Sequence, residues 1–369
     1  VTEVQKVATN ALGSRRGAIV AIDPNNGDVL AFVSMPSFDP NLFVNGISQK
    51  AYSELRLNSD RPLFNRALIG QYPPGSTVKP VIALAALESN QINAENTIFA
   101  GPYFQIPKQS RRYRDWKKGG HGRVDLKLAL AQSCDVYFYK LGFAMGIKPM
   151  HDMLTRFNLG DKLGLDTMGE ARGLVPSAAW KKRIHDEAWY PGESVITSIG
   201  QGYLLATPLQ LAQMTARLAM NGLGYKPRFV IAQRKTKEDG FAPLEPTVLP
   251  SIDLKQQEHW QQVLSGMRAV VNGRTGTARN ISRGARYDIA GKSGTAQVIG
   301  IAQNAEYEEV DIAQHLRDHA LFIAYAPVDQ PKIAVAVIVE NGGSGSRVAA
   351  PIARKVMDAY LLKGMTDGP

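Results

Sequence analysis

Three absences bound what this chain can be. It has a single cysteine, Cys134, in 369 residues, so no disulfide can form within it and cysteine usage says nothing about its redox compartment. No stretch approaches the roughly 18 consecutive apolar residues that a membrane-spanning helix needs. Val1 to Leu12 has the polar, helical look of a connector instead of a signal peptide, so if the intact protein is membrane-anchored, its anchor is expected outside this chain. Internal repeats and low-complexity tracts are also missing, which excludes solenoids and fibrous arrays.

What is present suits a large core. Hydrophobic residues make up 44% and charged residues 21%, the balance of a globular chain with one large domain or a domain with small appendages. The 43 Lys and Arg against 33 Asp and Glu leave a net charge of +10, which favours nucleic acid, a membrane surface or an acidic polymer as partner. A merely solvated basic surface is the plain alternative. Arg111-Arg112-Tyr113-Arg114, Lys117-Lys118 and Arg123 form the densest basic patch. No nucleic-acid motif accompanies it, so no nucleic-acid partner is expected.

Ala18 to Asp23 and Val29 to Ser34 are apolar runs around the turn-rich Pro24-Asn25-Asn26-Gly27-Asp28, which predicts two opening strands joined as a hairpin. Apolar residues recur at helical spacing over Thr77 to Leu87, Leu126 to Leu141 and, after the N-cap candidate Thr207, Pro208 to Met220. Near the end, Tyr287 to Val298, Ala320 to Ala326 and Lys332 to Glu340 read as strands and Pro351 to Leu362 as a last helix. Strands at both ends and helices between them imply one sheet built from the two chain ends beside a helical insertion, an α/β (α+β) arrangement.

Three short motifs carry chemistry. Tyr72-Pro73-Pro74-Gly75-Ser76-Thr77-Val78-Lys79-Pro80 places Ser-x-x-Lys at a helix start, where residues three apart share a face and the helix N-terminus favours a developing oxyanion. Lys79 can serve Ser76 as a base only if burial and a nearby cation favour its neutral form, which calls for a second lysine close by. Gly291-Lys292-Ser293-Gly294-Thr295 lies in a strand-like run. Its glycines admit close approach, and Lys292 with the hydroxyls of Ser293 and Thr295 suits a peptide carboxylate. A phosphate-binding loop would need glycine at position 286, which is Arg286, and a following helix. Ser133-Cys134-Asp135 lies between the two, in an apolar helical context, and by itself says nothing. Arg274-Thr275-Gly276-Thr277 is read as a loop without a catalytic role.

Together and in this order, the three motifs resemble those of the penicillin-recognising serine enzymes. The text around Ser76, Ile199-Gly200-Gln201-Gly202-Tyr203 followed by Ala206-Thr207-Pro208-Leu209-Gln210, and Ala290 to Gln297 narrow the resemblance to class B penicillin-binding proteins of the elongation-specific type, from about Arg15 to Leu362. The resemblance implies a penicillin-binding/serine β-lactamase-like transpeptidase fold: a five-stranded antiparallel sheet flanked by helices, with a mostly helical subdomain. Residues 1–14 would be a connector, 15–362 the transpeptidase domain and 363–369 a tail.

By the same resemblance, Ser76 attacks a D-Ala-D-Ala stem peptide with Lys79 as base, and the amides of Ser76 and Thr295 form the oxyanion hole. Ser133 passes the proton to the departing D-Ala; Lys292, with Ser293, Gly294 and Thr295, binds the substrate terminus. Asp135, where many relatives have Asn, either positions Ser133 or brings a charge. The implied ligands are peptidoglycan stem peptides, the lipid-linked precursor and β-lactams, and the implied partners a SEDS-type glycosyltransferase and elongation complex proteins. The implied location is the periplasmic face of the inner membrane, and no cofactor is needed for catalysis. Asp115, His121 and Cys134 are suitable ligands for a structural zinc. Relatives often place an aspartate near Phe99-Ala100-Gly101-Pro102, so a fourth ligand is lacking here, and a buried cysteine beside a histidine is the alternative. Rival readings are a serine β-lactamase or D,D-carboxypeptidase, distinguished by rapid turnover of a penicillin adduct, and a non-catalytic β-lactam sensor, distinguished by several membrane spans upstream.

Overall fold

The last strand-like run, Ile333 to Val339, is apolar throughout and rich in β-branched residues, a composition that only a strand buried on both faces satisfies. The computed structural model, which describes residues 1–298 and 313–362, buries all seven of its residues at the centre of a sheet. In chain order, helix α1 (Thr2–Leu12) leads to strands β1 (Gly17–Ile22) and β2 (Val29–Met35), then to α2 (Gln49–Leu57), α3 (Arg66–Ile69) and α4 (Lys79–Glu88). Four short strands follow: β3 (Ile98–Ala100), β4 (Tyr103–Gln105), β5 (Arg112–Arg114) and β6 (Gly122–Val124). Helices α5 (Leu126–Ala131), α6 (Asp135–Met145), α7 (Ile147–Arg156), α8 (Ala178–His185), α9 (Pro191–Thr197) and α10 (Pro208–Ala219) make up the middle. The chain closes with β7 (Ala232–Gln233), β8 (Ala242–Pro243), α11 (Glu258–Asn272), β9 (Ala290–Ala296), β10 (His319–Ala326), β11 (Ile333–Val339) and α12 (Ala350–Leu361).

The main sheet has the order β2-β1-β11-β10-β9, antiparallel throughout. Successive strand residues point to opposite faces, and the core divides accordingly. Ala18, Val20, Ile22, Ala334, Ala336 and Ile338 join the larger core with α4, α10 and α11. Ile19, Ala21, Val335 and Val337 join a second core with α1 and α12. The segment expected as a connector is therefore folded here as α1, with Val4, Ala8, Ala11 and Leu12 buried against the sheet.

One helix expectation needs correction. The apolar run Leu126 to Leu141 is not one helix, because Gln132, Ser133 and Cys134 separate α5 from α6 and Ser133 adopts φ 56°. Helical spacing continues across the break and so conceals it; the Cys134 sulfur accepts a hydrogen bond from the Tyr137 amide and starts α6 afresh. The Thr207 expectation fits the structure: its hydroxyl accepts from the Gln210 amide while the Gln210 side chain accepts from the Thr207 amide, a capping box. The expected tail, 363–369, lies outside the described residues.

Candidate active site

Gly75 to Val78 form a single 3-10 turn running into α4. Side chains three apart eclipse in such a turn, which puts Ser76 and Lys79 on one face. Every residue of α4 from Lys79 to Leu87 is buried, as expected of a helix that is apolar all round, so the turn projects from a fixed central element. Two glycines make the close packing there feasible. Gly75 has φ 53°, and a Cβ on it would lie 2.5 Å from the Thr295 carbonyl oxygen of β9. Gly200 has φ 75° and approaches the Gly75 backbone, whose amide donates to the Gly200 carbonyl at 2.9 Å. The Ser76 turn is thereby held between β9 and the Gly200 loop.

Left-handed backbone at Ser133 turns its hydroxyl into the same region. Lys292 Nζ donates to Ser133 Oγ at 2.7 Å, and Lys79 Nζ donates to it at 3.4 Å and to the Ser133 carbonyl at 2.9 Å. Lys79 also pairs with Asp135 Oδ1 at 2.6 Å. Both lysines are fully buried. Burial, then the neighbouring Lys79 charge, pushes Lys292 well below the ordinary lysine range, with Asp135 opposing. The two lysines, Ser133 and Asp135 thus form one hydrogen-bonded cluster. The Ser76 hydroxyl is outside it and makes no hydrogen bond among the described residues. Lys292 points into the cluster, and Thr295 is exposed on β9, its carbonyl accepting from Gln201 Nε2 at 3.0 Å.

Three contributors were not found by sequence reasoning. Thr277, in the loop read as chemically silent, shares a 2.9 Å hydrogen bond with the Ser293 hydroxyl. Trp116 donates from Nε1 to the Ser133 carbonyl at 3.2 Å and from its amide to Asp135 Oδ2 at 3.3 Å. Gln132 bonds His121 Nδ1 at 2.7 Å and donates to the Thr275 hydroxyl at 3.1 Å. Nothing local marks these residues, because their partners lie 11 to 143 positions away.

Behind Ser133, Asp115, His121 and Cys134 come together as expected, with candidate ligand atoms all within 4.8 Å of one another. Asp115 accepts from the Val136 amide and the Cys134 thiol and bonds His121 Nε2 at 3.0 Å. Burial works to raise the Asp115 carboxyl, but His121 and the Val136 and Lys117 amides hold it below its usual value. Burial works to lower His121, and Asp115 and Gln132 raise it. Burial and then Asp115 push the Cys134 thiol up to about 12. The donor types and the Gln132-oriented imidazole fit zinc. Among the described residues, no fourth His, Cys, Asp or Glu joins the group.

Residues 17–358 match the family described as "Penicillin binding protein transpeptidase domain". The chain belongs to the penicillin-binding protein transpeptidase family, on its PBP2 branch. The peptidoglycan D,D-transpeptidase MrdA of Haemophilus influenzae is 42% identical over 97% of this chain and 55% of its own length. The MrdA of Acinetobacter baumannii is 45% identical over 97% of this chain and 52% of its own length. The chain therefore spans about half the length of these two relatives. The crystal structure of Pseudomonas aeruginosa PBP2 in complex with WCK 5153 superposes with a TM-score of 0.88 at 50% identity, covering 98% of this chain and 74% of that one. Helicobacter pylori PBP2 in complex with MreC gives 0.85 at 34% identity, covering 97% and 62%.

Proposed function

We propose that this chain is the transpeptidase part of a peptidoglycan-cross-linking enzyme that acts through a Ser76 acyl-enzyme. The observation that carries the reading is the Ser133 hydroxyl, which accepts from both Lys292 and Lys79 beside the Ser76 turn. Ser76 attacks the carbonyl of the penultimate D-Ala of a stem peptide. After ceding a proton to Asp135, its 2.6 Å partner, Lys79 takes the Ser76 proton, and Ser133, which accepts from Lys79, relays it to the nitrogen of the departing D-Ala as its C–N bond breaks. Amides at 76 and 295 would receive the oxyanion. The exposed Thr295 hydroxyl would receive the terminal carboxylate, with Lys292 holding the Ser133 hydroxyl in place and Gly294 letting β9 pass close to Thr77. Asp135 holds Lys79 toward Ser133. An amine of a second stem peptide, taken to be meso-diaminopimelate, then displaces Ser76 and forms the cross-link.

Intact-protein mass spectrometry after benzylpenicillin treatment tests the reading. A single, persistent adduct that disappears in Ser76→Ala is expected; labelling that survives the substitution defeats the assignment, and rapid loss of the adduct favours a hydrolase.

Residues 15–362 are taken as the transpeptidase domain, supported by the match over 17–358. Among the described residues no helix is long and apolar enough to cross a membrane. An anchor elsewhere in the protein and a location on the periplasmic face of the inner membrane are part of the proposal. So are a SEDS-type glycosyltransferase and elongation complex proteins as partners, supported by relatives described in complex with MreC and in a peptidoglycan synthase complex. The chemistry needs no cofactor. For Asp115, His121 and Cys134 we adopt the hydrogen-bonded triad, because its hydrogen bonds satisfy all three side chains. A zinc ion there would brace the 115–121 segment against α6 and have no part in the reaction. About one equivalent of zinc in protein purified without added metal, lost in Cys134→Ala, would reverse this choice.

A further inference from the structure

Acyl transfer needs a second peptide, and the lysines of the cleft are already engaged: Lys79 by Asp135 and Ser133, Lys292 by Ser133. Carboxylates carried by the incoming acceptor must find other cations. The β4–β5 hairpin supplies them. Tyr113 is buried, and its ring lies 5.8 Å from that of Tyr139 on α6, while Arg111 and Arg112, at the start of β5, are exposed. The hairpin is tied to the catalytic cluster at two points. Tyr139 donates to the Arg114 carbonyl at 3.2 Å, and the chain then runs through Asp115, bonded to the Val136 amide, to Trp116, bonded to Ser133 and Asp135.

The cations are arranged for ligation. Arg112 stacks 4.7 Å from the Tyr103 ring centroid and Arg111 5.1 Å from that of Tyr113. Stacking holds a guanidinium plane in place while leaving its N–H fork free for a carboxylate. Neither arginine, nor exposed Lys117, has a salt-bridge partner among the described residues. The arginines Arg66, Arg228, Arg268 and Arg354 all do. Four residues of chain separate Arg112 from Trp116, a span of at most about 14 Å, and Trp116 bonds the Ser133 carbonyl.

We propose that the β4–β5 hairpin, through Arg111 and Arg112 together with Lys117, binds the carboxylates of the acceptor peptide and so directs its amine at the Ser76 ester. The inference rests on the acyl-transfer reading above and adds the acceptor subsite to it. In the step served, the neutral amine attacks the ester carbonyl and a C–N bond forms. The bond between that carbon and Ser76 Oγ breaks, and a proton passes from nitrogen to Ser76 Oγ. The required ligand is an acidic peptide with carboxylates near its nucleophilic amine.

The test separates the two half-reactions in this chain. Acylation is followed with benzylpenicillin. Acceptor use is followed with a D-alanyl thioester donor and the tripeptide L-Ala-γ-D-Glu-meso-diaminopimelate, by the partition between aminolysis and hydrolysis. In Arg111→Gln/Arg112→Gln, the tripeptide concentration giving half-maximal aminolysis should rise roughly ten-fold for each arginine removed, the worth of one charge-assisted contact, against a small change in penicillin acylation. Lys235→Gln/Lys237→Gln loses the same charge in an exposed loop between β7 and β8 and should leave the partition as in the parent. An unchanged acceptor requirement in the arginine variant overturns the proposal. So does an unchanged requirement accompanied by weaker binding to phosphatidylglycerol vesicles, which would assign the hairpin to a membrane surface. Failure of the parent to be acylated at Ser76 would instead defeat the acyl-transfer reading, and the acceptor site with it.

Discussion

Ser133 holds a backbone conformation, φ 56°, that costs a residue with a side chain on the order of 1–3 kcal/mol and persists only where its surroundings enforce it. The conformation turns its hydroxyl to two lysines. Ser133→Ala keeps the backbone and removes the bridge, so its rate of acylation by benzylpenicillin should fall by roughly 10²–10⁴, measured by stopped-flow with a chromogenic β-lactam, with little change in melting temperature. Lys292 makes a separate, thermodynamic prediction. Its folded state favours the neutral amine because of burial, while the unfolded lysine stays charged up to the usual value of 10.5. Between the depressed value and 10.5 the unfolded state binds more protons, so stability rises with pH. As pH rises toward 10.5 the parent should therefore gain stability relative to Lys292→Met in urea titrations; a difference that is flat or shrinks toward high pH would contradict a depressed, buried Lys292.

At the scale of elements, the site depends on two contacts that leave no room for a side chain. A Cβ on Gly200 would lie 2.0 Å from the Gly75 carbonyl oxygen, and Gly200 also has positive φ. Gly200→Ala must move the Ser76 turn or the loop, and both acylation and melting temperature should drop. The start of α10 provides the contrast. Thr207→Ala removes one half of the capping box with Gln210, at a cost of about 1 kcal/mol, and should lower the melting temperature without a matching loss of acylation rate. If Thr207→Ala slowed acylation as much as Gly200→Ala, the distinction between supporting and positioning contacts would not hold.

Across the whole molecule, the end of β11 is joined to the segment leading into the active-site turn. Glu340 accepts from Arg66 Nε at 2.9 Å and from the Tyr72 hydroxyl at 2.8 Å, and pairs with Arg16 at 3.4 Å. Arg66 is only 2% exposed, so Glu340→Ala would leave a buried cation without its carboxylate, a change worth roughly 3–5 kcal/mol. Chemical denaturation should show that loss, and acylation should weaken with it because Tyr72 starts the segment that carries Ser76. Burial and then Glu340 raise the Tyr72 phenol, which keeps it a hydrogen-bond donor throughout the neutral range.

The amino-acid sequence by itself determined the strands at both chain ends, the helical middle and the three motifs, since each is a local pattern of apolar spacing or side-chain chemistry. It could not show that the run from Leu126 to Leu141 breaks at Ser133, because the apolar period continues across the break and the left-handed residue is not glycine. Nor could it show that Thr277 bonds Ser293 or that Trp116 lies over Ser133. Those contacts exist only because β9, α6 and the loop after α11 meet around α4. Only the tertiary structure decided which lysine is depressed by burial and which is ion-paired, since burial and proximity between residues 79, 135 and 292 belong to the packed chain and to no segment of it.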